Sequence, residues 1–192
     1  MDIITAIGER RSVSFFEPGH EISDEEIKGI IKLANNTPSS MNLQPWKVIV
    51  VKSNELKEKL KEACFNQEKV VEASCNFIVL ADPKGLEENI YSVLKSWVDL
   101  GYMSKEASEN YKNMAQALYD STESIKRKLF AVKNSSFFAM SLMYAAMAFG
   151  YDPHPMDGFD ESKVKSLFEI PEYMIVPVII ACGKFRKNAK LL

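Results

Sequence analysis

The stretch PSSMNLQPWKVIVV, residues 38–51, joins a polar loop directly to an apolar run. The β-branched run at its end, bounded by Pro45 and Ser53, predicts a buried strand. Its first nine residues carry two hydroxyls, two side-chain amides and an indole. Polar side chains crowded beside a buried strand either cap the backbone or meet a ligand. The local sequence leaves both alternatives open.

Helices and further strands surround this segment. Residues 76–81 and the run MIVPVIIACG at 174–183 predict two more buried strands. Ser23 followed by Glu26 is a capping box and predicts the start of a helix. Other helices are predicted for residues 2–10, 53–65, much of 85–130, 137–149 and the segment up to 168, and YDPHPMDGFD at 151–160 is predicted to be a turn. Strands separated by helices indicate a layered α/β or α+β fold, which we expect to be one domain over residues 1–192.

Composition and charge exclude several classes of protein. The chain has 46% hydrophobic and 26% charged residues and a net charge of -2, so no overall field attracts nucleic acid or an anionic membrane. The apolar stretch at 137–150 is shorter than the ~20 residues of a membrane-spanning helix. Three cysteines without a CxxC spacing are expected to be buried in a reducing compartment, and the start of the chain lacks a signal-peptide pattern. We therefore expect a cytoplasmic protein.

Familiar catalytic and metal motifs are missing from the sequence. The two histidines, His20 and His154, lie near no GxSxG or catalytic-cysteine signature, and no HExxH or paired-cysteine metal motif occurs. His154 stands between two prolines and is predicted to be a turn residue rather than a ligand. Neither glycine-rich phosphate motif occurs, so any bound phosphate must be held by side chains.

The segment ERRSVSFFEPG, residues 9–19, offers such side chains. Two arginines and a serine in succession match the oxygens of a phosphate. Basic residues also occur at the C-terminal ends of helices, where they complement the helix dipole. The segment alone does not decide between these alternatives.

The order of the motifs resembles the nitroreductase family, the FMN-dependent NAD(P)H oxidoreductases. RRSVSFF, PSSMNLQPWKVIVV, FNQEKVVEASCNFIVLAD, YDPHPMDGFD and a final strand before a basic tail match in order and spacing over nearly the whole chain. The resemblance implies an α+β fold in which a central mixed β-sheet is flanked by helices. It also implies FMN sites at a homodimer interface. The apolar helix at 137–149 is compatible with burial both on its own sheet and on a partner.

The resemblance also implies a set of cofactor-binding residues. The segment with Ser39, Ser40 and Asn42, here called the serine–asparagine motif, would reach the flavin of the neighbouring subunit. Lys69 would place a cation at the pyrimidine edge of the ring, where hydride arrival leaves negative charge. Ser14 stands where many relatives have Lys or Arg, so one cation is expected to be missing. The implied residues are Arg10, Arg11 and Ser12 at the phosphate, Ser14 near the flavin, Pro38, Ser39, Ser40, Asn42 and Gln44 in the loop, Asn66, Lys69 and Asn134 at the ring, Pro155, Met156, Asp157 and Gly158 over one ring face, and Lys184 and Arg186 closing the phosphate.

The activity that the resemblance implies is ping-pong transfer of electrons from NADH or NADPH, through FMN, to a small-molecule acceptor such as a nitroaromatic or a quinone. We assign no catalytic side chain, because the flavin performs the redox step. The alternatives are a flavin reductase or reductive dehalogenase of the same fold, and a non-catalytic protein that binds or stores flavin. Residues 86–119 would line the pocket and determine the acceptor.

Overall fold

The computed structural model describes residues 2–187 and has a four-stranded sheet at its centre. The strands are β1 (Trp46–Val51), β2 (Cys75–Ala81), β3 (Asp152–Met156) and β4 (Ile175–Gly183). The helices are α1 (Ile3–Glu9), α2 (Asp24–Ala34), α3 (Asn54–Ala63), α4 (Lys69–Glu72), α5 (Gly85–Asp99), α6 (Lys105–Tyr119), α7 (Ile125–Ala148) and α8 (Glu161–Leu167). Helices follow β1 and β2 along the chain, as the sequence predicted, and α8 follows β3.

The strand order is β1-β2-β4-β3, and all three neighbouring pairs are antiparallel. The helices flank the sheet as expected, but the expected mixture of strand directions is not found among these four strands. The reason is that α3 and α4 return the chain to the end of the sheet that β1 leaves, where Val51 pairs with Asn76. A helical connection of this kind joins antiparallel neighbours instead of crossing over to a parallel one.

The segment predicted as a turn, residues 151–160, contains an edge strand, so that prediction was wrong. β3 pairs with β4 on one side only, with Pro153 opposite Cys182 and Pro155 opposite Ile180. A proline has no N–H to donate, so it fits a strand only where its nitrogen faces away from the partner. Two prolines two residues apart face the same way, and both nitrogens point to the open edge. The sequence reading treated these prolines as turn formers.

The two faces of the sheet pack against different helices. In β2, Phe77 and Val79 lie in a cluster with α2 and α7, whereas Ile78 and Leu80 lie in a cluster with α3, α4 and α8. This alternation follows from the two-residue period of a strand. A third cluster joins α5, α6 and the first half of α7. The three cysteines are buried and unpaired, as predicted: Cys64, Cys75 and Cys182.

The capping box predicted at the start of α2 is confirmed. The Ser23 hydroxyl accepts a hydrogen bond from Glu26 N at 3.2 Å, and the Glu26 carboxylate accepts one from Ser23 N at 3.0 Å. These bonds satisfy two backbone donors that the first turn of a helix leaves free. Glu26 also accepts from the Tyr151 hydroxyl at 2.7 Å, which ties α2 to the start of β3.

The apolar helix α7 begins twelve residues before the predicted start at residue 137, at Ile125. The Ser124 hydroxyl caps this helix by accepting a hydrogen bond from Arg127 N at 3.1 Å. The first turns of the helix are basic, and one of their arginines is buried. Arg127 is 1% exposed and donates to both carboxylate oxygens of Glu87 at 2.7 Å and to the carbonyl of Pro83 at 3.1 Å. No helix within residues 2–187 is both long enough and apolar enough to cross a bilayer.

Candidate functional site

Basic side chains cluster where the segment after α1 meets α4 and β3. Lys69 Nζ lies 3.0 Å from His154 Nε2, and His154 Nδ1 lies 2.7 Å from the carbonyl oxygen of Val13. Arg10 Nη1 donates to the Ser12 hydroxyl at 3.4 Å. The predicted phosphate residues Arg10 and Ser12 thus lie on the same side of the fold as Lys69. We call Arg10, Ser12, Lys69 and His154 the basic cluster.

The electrostatics of the basic cluster favour an anion. Burial lowers the pKa of Lys69. Burial also lowers the pKa of His154, and the charges of Lys69 and Arg10 lower it further, against the opposing bond to Val13. Within residues 2–187, neither Lys69 nor Arg10 forms an ion pair with a carboxylate. Two cations without a carboxylate partner attract a phosphate or another anion.

The Gln67 side chain, here called the brace, links the FNQEK segment to the loop after β3, close to the basic cluster. Gln67 Nε2 donates to the carbonyls of Gly158, at 2.8 Å, and Cys64, at 3.0 Å. The two residues before it, Phe65 and Asn66, have positive φ angles of 53° and 59°. The brace places the FNQEK segment beside Pro155, Met156, Asp157 and Gly158, which the sequence resemblance assigned to one flavin site.

A second group of predicted residues lies in the loop before β1. Met41, Asn42 and Gln44 have positive φ angles of 55°, 53° and 45°. Seven non-glycine residues of the described chain have positive φ, and five of them lie in this loop and in the FNQEK segment. Such conformations cost free energy and concentrate at functional sites. The backbone therefore marks the same two segments that the motifs mark.

Side-chain hydrogen bonds hold the loop before β1 in this conformation. Within the loop, the Ser39 hydroxyl accepts from Gln44 N at 2.9 Å and Asn42 Oδ1 accepts from Gln44 Nε2 at 3.2 Å. The Ser40 hydroxyl bonds the hydroxyl of Tyr119 at the end of α6. Some polar groups of the opening motif therefore cap the loop, as one of the two alternatives predicted, and the Asn42 and Gln44 side chains are exposed.

Asn134 anchors this loop from the middle of α7. It is 1% exposed, its Oδ1 accepts from Ser40 N at 3.0 Å, and its Nδ2 donates to the carbonyl of Phe130 at 2.7 Å. Its amide is thus engaged on both sides within the chain. Asn134 supports the loop that carries the serine–asparagine motif.

The two groups lie at opposite edges of the sheet. The loop before β1 leads into one edge strand, and Pro155 and Met156 end the other, with β2 and β4 between them. Three strand spacings separate β1 from β3 by roughly 14 Å. No hydrogen bond or ion pair within residues 2–187 links the basic cluster to the loop before β1. One chain therefore does not gather all the predicted residues at one point.

Three other predicted residues in the first part of the chain lie apart from these contacts. Arg11 donates to the carbonyls of Gly8, at 2.8 Å, and Arg10, at 2.9 Å, so its guanidinium closes the C-terminal end of α1. This is the helix-capping alternative that the sequence left open. Ser14 is half-buried beside the basic cluster, and Pro38 is exposed at the start of the loop before β1.

The two basic residues after β4 are bound to groups of this chain. Arg186 pairs with Glu72 at 2.6 Å and donates to the carbonyl of Phe16 at 3.1 Å. Lys184 bonds the carbonyl of Gly150 and lies 4.7 Å from the ring centroid of Tyr151. Neither cation is free to face the basic cluster in this arrangement.

Sequence reasoning missed three residues that organise the two groups: His154, Gln67 and Tyr119. His154 was read as a turn residue because of its flanking prolines, although prolines at alternate positions also indicate an edge strand. Gln67 stood inside the matched FNQEK motif. Tyr119 gave no local signal, because its contact with Ser40 spans 79 positions of the chain.

Comparisons with known proteins identify the family of the chain. The family model described as "Nitroreductase family" matches residues 7–184. "Putative NAD(P)H nitroreductase MhqN" of Bacillus subtilis is 33% identical over 96% of this chain and 89% of its own length. The crystal structure of Bacillus subtilis ydfN superposes with a TM-score of 0.92 at 31% identity, covering 97% of this chain and 90% of that one.

A further crystal structure shows a cofactor in a protein of this fold. It is an Exiguobacterium sibiricum protein in complex with FMN, with a TM-score of 0.87 and 27% identity, covering 99% of this chain and 91% of that one. The match of the family model across most of the chain and the relative at 33% identity decide the classification. The chain belongs to the nitroreductase family of oxidoreductases.

Proposed function

We propose that this chain is an FMN-dependent NAD(P)H oxidoreductase that reduces nitroaromatics, quinones or related small acceptors by a ping-pong mechanism. The observation that carries the proposal is the basic cluster, in which Arg10 and Lys69 lack carboxylate partners within the described residues. We further propose that residues 1–192 form one FMN-binding domain that works in the cytoplasm. The fold relative that contains FMN supports the choice of cofactor.

The donors of the basic cluster fit the chemistry of FMN. The guanidinium of Arg10 and the hydroxyl of Ser12 would hold the phosphate through charge-assisted bonds. Lys69 would place its ammonium at the pyrimidine edge of the ring, and the backbone amides of Asp157 and Gly158 would face the ring from the loop after β3. When bound, FMN supplies the two-electron carrier, and the protein binds and orients it. Because Lys69 is half-buried, its charge would act more strongly on negative charge in the bound ring than an exposed lysine would.

Distance across the sheet supports a site completed by a second copy of the chain. The loop before β1 and the basic cluster lie at opposite edges of one sheet, whose edge strands β1 and β3 are roughly 14 Å apart. A two-fold partner would bring its own loop to the basic cluster of the first copy, and the reverse. The proposed homodimer thus has two sites, each built from two chains.

An apolar surface suited to that partner lies on α1, α2 and α7. Large apolar side chains are exposed there: Ile3, Ile4, Ile7, Leu33 and Phe137. Tyr144 and Ala148 line a groove of about 380 Å³ next to α1. Contiguous exposed apolar surface of this kind marks interaction sites. Light scattering after size exclusion should give twice the chain mass, and a monomer with full FMN occupancy would contradict the shared site.

The colour and redox behaviour of the purified protein test the function. We expect a yellow protein with an FMN-like spectrum that bleaches when NADH or NADPH is added without oxygen. Turnover of an acceptor at about one per second or faster would support an enzyme. Bleaching slower than about once per minute would favour flavin storage, and a colourless protein that takes up no FMN would refute the proposal. Comparing nitroaromatics, quinones, free flavin and halogenated aromatics as acceptors separates the remaining alternatives.

Arg10→Ala tests the phosphate assignment, with Arg11→Ala as the matched control. Loss of a charge-assisted hydrogen bond should weaken FMN binding by roughly 1.5–3 kcal/mol in the first variant. Arg11 contacts only the end of α1 within the described residues, so its removal should leave FMN affinity nearly unchanged. Equal losses in the two variants, measured by fluorescence titration, would remove Arg10 from the site.

A further inference from the structure

Both ring nitrogens of His154 are engaged, and their partners determine where the ring carries its proton. The carbonyl of Val13, 2.7 Å from Nδ1, can only accept a hydrogen bond, so Nδ1 must donate. In the neutral ring Nε2 then has a free lone pair. Lys69 Nζ, 3.0 Å from Nε2, has only donors and supplies the matching hydrogen. The pair is complementary only while His154 is neutral.

Lys69 depends on this contact for its position. It is the first residue of α4, a four-residue helix, and its ammonium sits on a long flexible stem. Within residues 2–187, Lys69 Nζ makes one hydrogen bond, to His154 Nε2. β3 holds His154 through its pairing with Ala181 in β4. A rigid strand thus supports a side chain that would otherwise move freely.

We propose that His154 is a positioning residue that fixes the Lys69 ammonium within the basic cluster. The proposal rests on the proposed function for its consequence, namely a cation held in place for the ring of the cofactor. The charged groups acting on His154 are Lys69 from α4 and Arg10 from the segment after α1, and both are cations. The backbone of Val13 and Ser12 opposes them.

Acidification should break the contact. A protonated imidazole has no acceptor, and it would set a second positive charge about 3 Å from Lys69. Burial, together with the two cations, keeps the pKa of His154 below its ordinary value, so the contact is intact at neutral pH. The Lys69 ammonium should leave its position as pH falls through the pKa of His154.

Nuclear magnetic resonance on the cofactor-free protein tests the contact directly. The chain has two histidines, so a His20→Gln variant assigns both imidazole signals. We expect His154 nitrogen shifts of an Nδ1–H ring and a His154 pKa below the ordinary value for histidine. Lys69→Met removes both the neighbouring cation and the donor to Nε2, so the pKa of His154 should rise in that variant. An Nε2–H ring, or an unchanged His154 pKa in Lys69→Met, would overturn the proposal.

Kinetics of the FMN-loaded enzyme test the consequence. Removal of the support in His154→Leu should slow anaerobic flavin reduction about tenfold or more, the factor expected for one lost charge-assisted hydrogen bond. The double variant with Lys69→Met should be no slower than Lys69→Met alone, because the two residues act as one unit. His154→Gln, whose amide oxygen can accept from Lys69, should recover part of the rate.

Two results would contradict the positioning role: additive losses in the double variant, or equal rates in the Gln and Leu variants. Failure of the parent protein to bind FMN would contradict the proposed function instead. In that case the titration of the cofactor-free protein still decides whether His154 holds Lys69.

Discussion

Replacement of Asn134 by leucine should open the loop before β1. The leucine keeps the number and branching of the side-chain heavy atoms but leaves Ser40 N without the acceptor that now lies 3.0 Å away. Ser40 is half-buried, so water can replace part of the lost hydrogen bond. We therefore expect the free energy of unfolding to fall by about 1–2 kcal/mol, the lower part of the range for an unsatisfied buried donor. The carbonyl of Phe130 remains inside α7, where the helix backbone satisfies it.

Backbone strain makes this modest loss important for binding. Met41 and Gln44 hold positive φ angles that cost about 1–2 kcal/mol each, so roughly 2–4 kcal/mol favours a relaxed loop. The contacts of Asn134, Tyr119 and Ser39 oppose this strain. Removal of one of them should reduce the population of the closed loop by up to about tenfold, and apparent FMN affinity should fall by the same factor.

Two measurements on Asn134→Leu check the argument. Urea unfolding should show a loss of about 1–2 kcal/mol, and fluorescence titration should show FMN binding weakened about tenfold. Asn113→Leu, on the exposed face of α6, is the control and should change neither quantity. Unchanged FMN affinity in Asn134→Leu, at the expected loss of stability, would refute the coupling of the loop to the cofactor site.

Three further predictions concern stability. Arg127→Met should lower the free energy of unfolding by about 3–5 kcal/mol, because buried carbonyls lose their hydrogen-bond donor and Glu87 loses its ion pair. A loss below about 1 kcal/mol in urea unfolding would contradict a structural role. Tyr151→Phe removes the main cause that lowers the pKa of Glu26 to about 2, so the stability that wild type loses as pH falls from 4.5 toward 2 should shrink; identical acid profiles by circular dichroism would refute this. Gly8→Ala should raise stability by about 0.5–1 kcal/mol, since its new methyl meets no atom within 4 Å; a lower melting temperature would contradict it.

The sequence predicted the parts of the fold that local chemistry controls. The capping box at Ser23 and the apolar runs of β1, β2 and β4 depend on neighbours in the chain, and each was placed within a few residues. The start of α7 was missed because Arg127 reads as a surface residue, whereas its burial depends on Glu87, forty positions away. Contacts at that separation leave no local pattern.

The candidate site was predicted by motif but not by geometry. The matched segments ERRS, SSMNLQPW and FNQEK contain three of the four residues of the basic cluster, Arg10, Ser12 and Lys69, and most of the strained backbone. Their division between two edges of the sheet follows from strand order, which no single segment encodes. The contact between Lys69 and His154 could not be predicted from the sequence either, because it forms only when β3 pairs with β4.

The prolines of β3 have a consequence for self-association. A free sheet edge can template another strand, and this is a common start of aggregation. Pro153 and Pro155 remove the amide hydrogens that would point outward from β3, so a ladder cannot extend there. β1 has no proline between Trp46 and Val51. Misassembly of partly unfolded chains should therefore grow from the β1 edge, and a proline introduced there would slow fibril formation.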